Sequence, residues 1–314
     1  MVAKLQDVAK LAGVSVTTVS RVINNYGSLS EKTINKVHEA MRQLNYQPNA
    51  LARAMQGKPS KFIGLIFPKL TNPFFAELVN ELEHQLFFKG YKTIIASSAE
   101  NREIEHEYLN MLLANQVDGI ISGSHNLGIE EYRRLSAPII SFDRYLADDI
   151  PIVSADSYRG GRLTAQFMVA HQVKKLAVII DEDTSASPTV NRLQGVVDYL
   201  NEAQYDFQTL DKRELENGDF VGKYDGVIAS NDIQALKIID HYRNAHKMLN
   251  SDYYVTGYDG SNLIRGIAPY LPTVVQPIHE IANQLIKDLL QRIEQPNVKV
   301  CSPILPVKFV EPKK

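Results

Sequence analysis

Apolar residues near the start of the chain recur at helical spacing and predict three short helices. The first covers residues 4–11, with Val8 and Leu11 on one face. After a tight turn, Ser15 stands at the N-cap position of a second helix, VTTVSRVIN. A third helix begins near Ser30. Its apolar stripe consists of Ile34, Val37, Met41 and Leu44.

This order of elements is typical of a helix-turn-helix, whose second helix enters the major groove of DNA. Val16, Thr17 and Arg21 would then point outward from the second helix. Arginine pairs well with guanine, while valine and the threonine methyl group suit thymine methyls. The alternative interpretation is an ordinary helical hairpin, with these positions solvated on its surface.

The segment NALARAMQG follows Pro48 and predicts a further short helix, which Asn49 would cap. A helix of this length is not stable alone, so it would form only when braced by DNA and a partner chain. Met55 would then serve as an apolar wedge for the minor groove. The alternative interpretation is a flexible linker.

From Lys61 onward, short β-branched segments alternate with amphipathic helices, which indicates parallel α/β structure. A first set of predicted strands covers 62–68, 91–98, 118–123 and 138–143. A second set covers 176–181, 205–210, 225–232 and 253–259. Because QVDGIISGS and KYDGVIASN begin similar strands in the two sets, we expect two related, doubly wound lobes.

The predicted fold class is therefore an all-α helix-turn-helix head followed by a two-lobed α/β core with parallel sheets. The head covers 1–47, a hinge helix and linker 48–60, and the core 61–314. A helix at 278–293 and a strand at 304–310 would cross back between the lobes. The first lobe is then expected at about 61–157 plus 278–303, and the second at about 158–277 plus 304–314.

Charge is distributed unevenly along the 314 residues, whose formal net charge is only −2. Residues 1–61 hold nine Lys or Arg against three Asp or Glu, whereas the remainder holds 25 against 33. A basic head on an acidic body indicates that only the head meets a polyanion such as double-stranded DNA.

Several other functions find no support in the sequence. No apolar run reaches membrane-spanning length and no signal peptide opens the chain, so we expect no membrane partner and a cytoplasmic location. The single Cys301 excludes an intrachain disulfide and a cysteine-based metal cluster. Phosphate-binding and nucleophile motifs are missing, and the GG of RGGR at 159–162 is too short to be one. We therefore expect neither a cofactor, a metal site nor a catalytic residue.

Polar and aromatic side chains stand where the predicted strands end, and this pattern indicates a sugar site. Carboxylates accept from sugar hydroxyls, amides and guanidinium groups donate to them, and aromatic rings stack on the C–H face. The candidate ligand-binding residues are Asn72, Phe74, Phe75, Asp143, Arg144, Arg192, Asn231, Asp259 and Gln276. Taken singly, each of them has a structural alternative as a cap, a turn or an ion pair.

The stretches DVAKLAGVSVTTVSRVIN and LNYQPNALARAMQG resemble the LacI/GalR family of repressors, and the resemblance continues through the whole chain. It implies base contacts by the second helix and a hinge wedge at Met55, where the family usually has leucine. It also implies a homodimer, since the C-terminal leucine-heptad helix of the family's tetramers is missing. The implied DNA-binding residues are Ser15, Val16, Thr17, Thr18, Ser20, Arg21, Asn24, Asn49, Ala52 and Met55.

The stretches TNPFF, FDR, YDFQ and DGVIASNDIQA are similar to ribose-operon repressors of that family, and the nine candidates match the pattern of ribose-binding proteins. The segment between Asn201 and Tyr224 is shorter than usual, so the aromatic ring closing the second side of the site is unassigned, with Phe207 as a candidate.

The favoured function is a repressor of a sugar-utilisation operon, with ribose as the effector that releases it from its operator. Sucrose, or a phosphocarrier protein bound by a catabolite-control regulator, are alternatives within the family. A sugar-processing enzyme with a DNA-binding head and a periplasmic transport receptor are alternatives outside it.

Overall fold

The computed structural model describes residues 3–24, 26–47, 59–124, 126, 129–134, 137–179, 190–210, 212–296, 298–301 and 303–312. It divides into two compact units, residues 1–60 and 61–314.

The smaller unit contains three helices within its described residues. They are α1 (Leu5–Ala12), α2 (Val16–Ile23) and α3 (Glu31–Gln43). Ser15 caps α2 and Ser30 caps α3, each by accepting a hydrogen bond from the backbone N–H three residues later. The Ser15 cap stands where the sequence predicts it, and α3 begins next to Ser30 as expected. The hinge helix predicted within 48–60 lies outside the described residues, apart from positions 59 and 60.

The core of the smaller unit forms where the three helices meet. Its centre consists of Val8, Val19 and Val37, all fully buried. Leu11, expected on the same face of α1 as Val8, is 49% exposed, and Ala12 is buried beside Val8 instead. Spacings of three and four residues from Val8 both fit a helical face, and packing against α3 selects the latter.

The larger unit is built on two six-stranded sheets. The strands are β1 (Phe62–Phe67), β2 (Lys92–Ser97), β3 (Gly119–Ser122), β4 (Ile139–Phe142), β5 (Ile152–Ala155), β6 (Leu176–Ile179), β7 (Phe207–Leu210), β8 (Gly226–Ile228), β9 (Tyr254–Asp259), β10 (Thr273–Val275), β11 (Ile304–Leu305) and β12 (Lys308–Val310). The sheet orders are β11-β5-β4-β3-β1-β2 and β12-β10-β9-β8-β6-β7. Every neighbouring pair is parallel except β10 with β12. The predicted pair of doubly wound lobes is thus confirmed.

Helices connect the strands of each sheet. They are α4 (Pro73–Phe88), α5 (Arg102–Ala114), α6 (Glu131–Arg134), α7 (Ser157–Ala170), α8 (Val190–Glu202), α9 (Lys212–Asn217), α10 (Asp232–Asn244), α11 (Asn262–Ile267) and α12 (Ile278–Glu294). In the described part of the chain, no helix has the length and apolarity needed to span a lipid bilayer.

The chain passes between the two sheets three times. It crosses from β5 to α7, from β10 to α12 and from β11 to β12. The last crossing shows that the single strand expected at 304–310 is wrong. The expected boundary between the lobes at 303 is wrong as well. Ile304 and Leu305 pair with β5 of the first sheet, and only Lys308–Val310 joins the second. The strands β5 and β10 were not predicted from the sequence, although strands of the same length in both lobes were.

The main hydrophobic core lies where α4 and α12 pack on the first sheet. Leu82 of α4 and Leu285 of α12 are fully buried in it. The two lobes also touch at the carboxyl ends of their strands. There Glu77 of α4 accepts hydrogen bonds from the backbone N–H of Asn262 (2.8 Å) and from its side-chain amide.

We predict that Leu82→Ala lowers the free energy of unfolding by about 2–5 kcal/mol, because it leaves a cavity between α4 and the first sheet. Leu263→Ala is the matched control, since Leu263 lies on a helix but is 58% exposed. It should change stability by no more than about 0.5 kcal/mol. Urea unfolding followed by circular dichroism measures both, and equal losses would contradict the assignment of the core.

Candidate functional site

The second helix of the smaller unit presents a polar, basic face to solvent. Val16 is 41% exposed, and Thr17 and Arg21 are exposed as well. The opposite face carries Val19 and Val22, which are buried in the helical core. The side chains predicted to reach base edges therefore lie on the solvent-exposed face of α2, whose opposite face packs in the helical core.

The other DNA-binding candidates on this helix make contacts within it. Ser15 Oγ accepts the backbone N–H of Thr18 at 3.1 Å and lies 2.8 Å from its hydroxyl. Asn24 Nδ2 donates to the carbonyl of Ser20 at 2.6 Å and to its hydroxyl at 3.2 Å. These four side chains stabilise the two ends of α2. The remaining candidates, Asn49, Ala52 and Met55, lie outside the described residues.

In the larger unit, four of the predicted ligand residues meet at the carboxyl ends of the second sheet. Arg192 lies in the first turn of α8, Asn231 caps α10, Asp259 ends β9 and Gln276 directly follows β10. Parallel strands bring their carboxyl ends to the same edge of a sheet, which is where doubly wound folds bind ligands.

The guanidinium of Arg192 stacks on an aromatic ring. Its Cζ atom lies 3.3 Å from the centroid of the Tyr258 ring, and Nη1 donates to the carbonyl of Ser230 at 2.5 Å. Tyr258 is fully buried, and this burial raises the pKa of its hydroxyl. A cation held on a desolvated ring and by a backbone carbonyl is fixed in orientation.

Asp259 is the acceptor at this site. Gln276 Nε2 donates to Asp259 Oδ1 at 2.9 Å. The backbone of Asp259 adopts a φ of 109°. Desolvation raises the pKa of Asp259 to about 7, while the charge of Arg192 opposes the shift and that of Asp232 reinforces it. Burial therefore favours the protonated form of this carboxyl group more than in an ordinary aspartate.

Asp232 is a site residue that the sequence analysis missed. It is 2% exposed, and its carboxylate accepts the N–H of Gly260 at 2.7 Å and the hydroxyl of Thr273 at 2.5 Å. Burial raises its pKa above the ordinary aspartate value. It supports the corner that follows Asp259. The available signal was its position directly after Asn231, although an Asn-Asp pair at the end of a strand is equally typical of a helix cap.

The first lobe contributes Asp143 and Arg144, both buried directly after β4. The backbone of Asp143 is left-handed, with a φ of 55°. Its negative charge raises the pKa of Asp259, so the two carboxylates lie within electrostatic reach across the lobes. Residues from both lobes therefore form one charged cluster.

The remaining candidates of the first lobe have structural contacts. Asn72 caps α4 by accepting the backbone N–H of Phe74 at 2.9 Å, just as Asn231 accepts that of Gln234. Phe74 is 2% exposed in the main core, and its ring centroid lies 5.5 Å from that of half-buried Phe75. The side-chain oxygens of Asn72 and Asn231 therefore act as helix caps.

Phe207, the candidate for the second aromatic ring, lies elsewhere. It begins β7 and pairs with Leu176 at the amino ends of the strands, packed against a core cluster of the second lobe. The ring at the site is that of Tyr258, near the carboxyl end of β9. Its identity depends on tertiary packing, because two other tyrosines, Tyr253 and Tyr254, begin the same segment.

Three family models match the chain. Residues 4–49 match the bacterial regulatory proteins of the lacI family. Residues 60–218 match the periplasmic binding proteins and sugar binding domain of the LacI family, and residues 165–311 match the periplasmic binding protein-like domain.

Full-length relatives agree with these matches. The chain is 46% identical over 319 residues to the sucrose operon repressor of Pediococcus pentosaceus, covering 98% of both chains. It is 34% identical over 319 residues to the ribose operon repressor of Bacillus subtilis, covering 98% of this chain and 97% of the relative.

Solved structures share the fold. The lac repressor dimer bound to operator and the anti-inducer ONPF superposes with a TM-score of 0.82 at 25% identity, covering 99% of this chain and 98% of that one. A LacI family regulator from Enterococcus faecium with bound ribose gives a TM-score of 0.71 at 26% identity, covering 81% and 100%. The resemblance in the sequence is thereby confirmed, and the chain belongs to the lacI family of bacterial regulatory proteins, which are regulators and not enzymes.

Proposed function

We propose that this protein represses a sugar-utilisation operon and leaves its operator when a sugar binds at the carboxyl ends of the two core sheets. One observation carries the proposal: a chain with a helix-turn-helix also places Asp143, Arg192, Asp259 and Gln276 from separate segments in one cluster. Ligand binding at such a cluster would favour one arrangement of the lobes, and the equilibrium with operator DNA would shift with it.

Sucrose utilisation is the operon we favour. The motifs TNPFF and FDR favour ribose, but the sucrose operon repressors of Pediococcus pentosaceus and Streptococcus mutans are 46% and 47% identical to this chain. The ribose operon repressor of Bacillus subtilis is 34% identical. Ribose control remains the second candidate, supported by those motifs and by the ribose-bound regulator of the same fold.

The charges of the cluster favour a neutral sugar. Arg144 and Arg192 together would attract a phosphate, but Asp143 and Asp259 lie in the same cluster and oppose that attraction. Hydroxyl groups suit this mixture because they donate to carboxylates and accept from guanidinium and amide groups.

For DNA, we propose that Val16, Thr17 and Arg21 read base edges, and that Ser15, Thr18, Ser20 and Asn24 position the helix that carries them. A homodimer would supply two such helices to a pseudo-palindromic operator. We also propose that the chain is divided functionally into the head (1–47), a connecting segment (48–60) with Asn49, Ala52 and Met55 at the minor groove, and the core (61–314).

The ligand assignment is tested by calorimetric titration with sucrose, D-ribose, D-fructose and their phosphates. We expect one neutral sugar to bind and to weaken operator binding. Arg192→Ala and Asp259→Ala should abolish this response, because each leaves the opposite charge of the cluster unpaired, while operator binding persists. Asp240→Ala, an exposed position on α10, is the matched control and should respond like the wild type. Binding of a sugar phosphate alone would contradict the neutral-sugar proposal.

The pH dependence gives an independent check on Asp259. Its pKa of about 7 means that lowering the pH from about 8 to about 5 protonates the carboxylate and removes a charged acceptor. We therefore expect the affinity for a neutral sugar to fall across this range. Asp259→Asn should bind more weakly at high pH and lose most of the dependence. An unchanged profile in this variant would exclude Asp259 as the titrating group.

The DNA assignment is tested on an operator duplex obtained by in-vitro selection with the wild-type protein. Arg21→Ala should weaken binding by about 1–3 kcal/mol and relax selection at one base pair of each half-site. Arg42→Ala, an exposed arginine of α3, should leave the selected sequence unchanged. Footprinting should show two half-sites about one helical turn apart. Unaltered base selection by the Arg21 variant would contradict base reading by α2.

A further inference from the structure

Two adjacent glycines, Gly160 and Gly161, lie in the first turns of α7. Glycine is the least favourable helical residue after proline, so a consecutive pair inside a helix calls for a physical reason. Their backbone is helical with an ordinary negative φ, since neither is among the residues with positive φ. Conformational freedom is therefore not what they provide, and the reason must be space.

The space at Gly160 is filled by the ring under Arg192. A Cβ atom built on Gly160 would overlap the hydroxyl and ring of Tyr258, with Cζ of the ring only 2.8 Å away. Tyr258 is fully buried, so the ring has little room to move aside. Any side chain at 160 would therefore displace the surface on which the Arg192 guanidinium rests.

The space at Gly161 is filled by the backbone of Arg192 itself. A Cβ atom there would overlap the carbonyl oxygen of Arg192 and would lie 3.1 Å from the backbone nitrogen of Val196. Backbone atoms inside a helix cannot step aside as a flexible side chain can. A residue larger than glycine at 161 would therefore push α8, and Arg192 with it, away from α7.

The same helix begins at the first crossing between the lobes. Asp156 connects β5 to α7, donates its backbone N–H to the carbonyl of Leu305 at 2.8 Å, and caps α7 by accepting the N–H of Arg159. The glycine pair thus lies one turn beyond the point where the chain passes from one sheet to the other.

We propose that Gly160 and Gly161 are positioning residues of the effector site: one seats the Tyr258 ring, the other seats the Arg192 backbone, and together they fix the guanidinium that meets the sugar. The sugar ligand in this proposal rests on the proposed function. The positioning of Tyr258 and Arg192 by the two glycines does not depend on it. It gives the RGGR segment a role that has nothing to do with phosphate binding.

A third glycine provides the control for helix packing. Gly195 of α8 meets the backbone of Tyr158 at the same helix crossing, and a Cβ there would overlap the carbonyl oxygen of Tyr158. Gly195→Ala therefore strains the α7–α8 contact without entering the space of the Tyr258 ring. Gly266→Ala is the neutral control, because a Cβ at this α11 position meets no atom within 4 Å.

The experiment uses the full-length protein with isotopically labelled arginine. A guanidinium stacked on a ring shifts the Arg192 Hδ resonances upfield, and Arg192→Lys assigns them. We expect Gly160→Ala to move these resonances downfield, Gly195→Ala to shift them less, and Gly266→Ala to leave them in place. No sugar is needed for this measurement.

Calorimetry with sucrose and D-ribose completes the test. Gly160→Ala should weaken the binding of whichever sugar the wild type takes by about tenfold or more, a loss typical of one misplaced polar group. The folded Gly195→Ala variant should lose less sugar affinity than Gly160→Ala. Operator binding should persist in all variants.

Rescue separates positioning from a general packing defect. The atom closest to a Cβ at Gly160 is the Tyr258 hydroxyl, so adding Tyr258→Phe to Gly160→Ala should return part of the affinity and of the upfield shift. If Gly160→Ala does not fold, this double variant carries the measurement. An Arg192 signal unmoved by Gly160→Ala, or equal sugar losses in the 160 and 195 variants, would overturn the proposal. A wild type that binds neither sugar overturns the proposed function alone, because the arginine signal stands without it.

Discussion

The stacking of the Arg192 guanidinium on the Tyr258 ring is the interaction on which the second lobe's site depends. The position of the Arg192 guanidinium is set by the Tyr258 ring, by the carbonyl of Ser230 and by the close approach of α7 to α8. Such a contact is strong only where the ring is desolvated, and Tyr258 is fully buried. Displacing the ring would therefore release the Arg192 guanidinium from its position in the cluster.

Electrostatics then decides what the cluster accepts. Asp232 and Asp259 both have raised pKa values because burial disfavours their charged forms, and Arg192 moderates both shifts. The two carboxylates differ in their contacts. Both oxygens of Asp232 accept hydrogen bonds, one from Thr273 and one from Gly260, whereas Gln276 donates to one oxygen of Asp259. Asp232 is thereby suited to support the corner, and Asp259 to meet a ligand.

The three crossings between the sheets connect this site to the first lobe. They leave both sets of strand ends facing one another, as the effect of Asp143 on Asp259 and the contact of Glu77 with Asn262 show. The Glu77 contact lies at exposed positions, so its contribution to stability is small. The lobes also share apolar contacts, because Tyr258 and Val274 of the second sheet belong to the main hydrophobic core.

The sequence by itself determined the helices of the head, the Ser15 cap, the alternation of strands and helices, and the segments that carry Arg192, Asp259 and Gln276. These features depend on local periodicity and on the residue types that follow each strand, and both can be read directly from a sequence. Only the tertiary structure decided that Ala12 rather than Leu11 is buried, that β11 belongs to the first sheet and β12 to the second, and that Tyr258 rather than Phe207 lies at the site. It also decided the role of Asp232 and of the glycine pair. The physical reason is the same in each case: these outcomes depend on which distant atoms fill a given space, and local pattern contains no information about them.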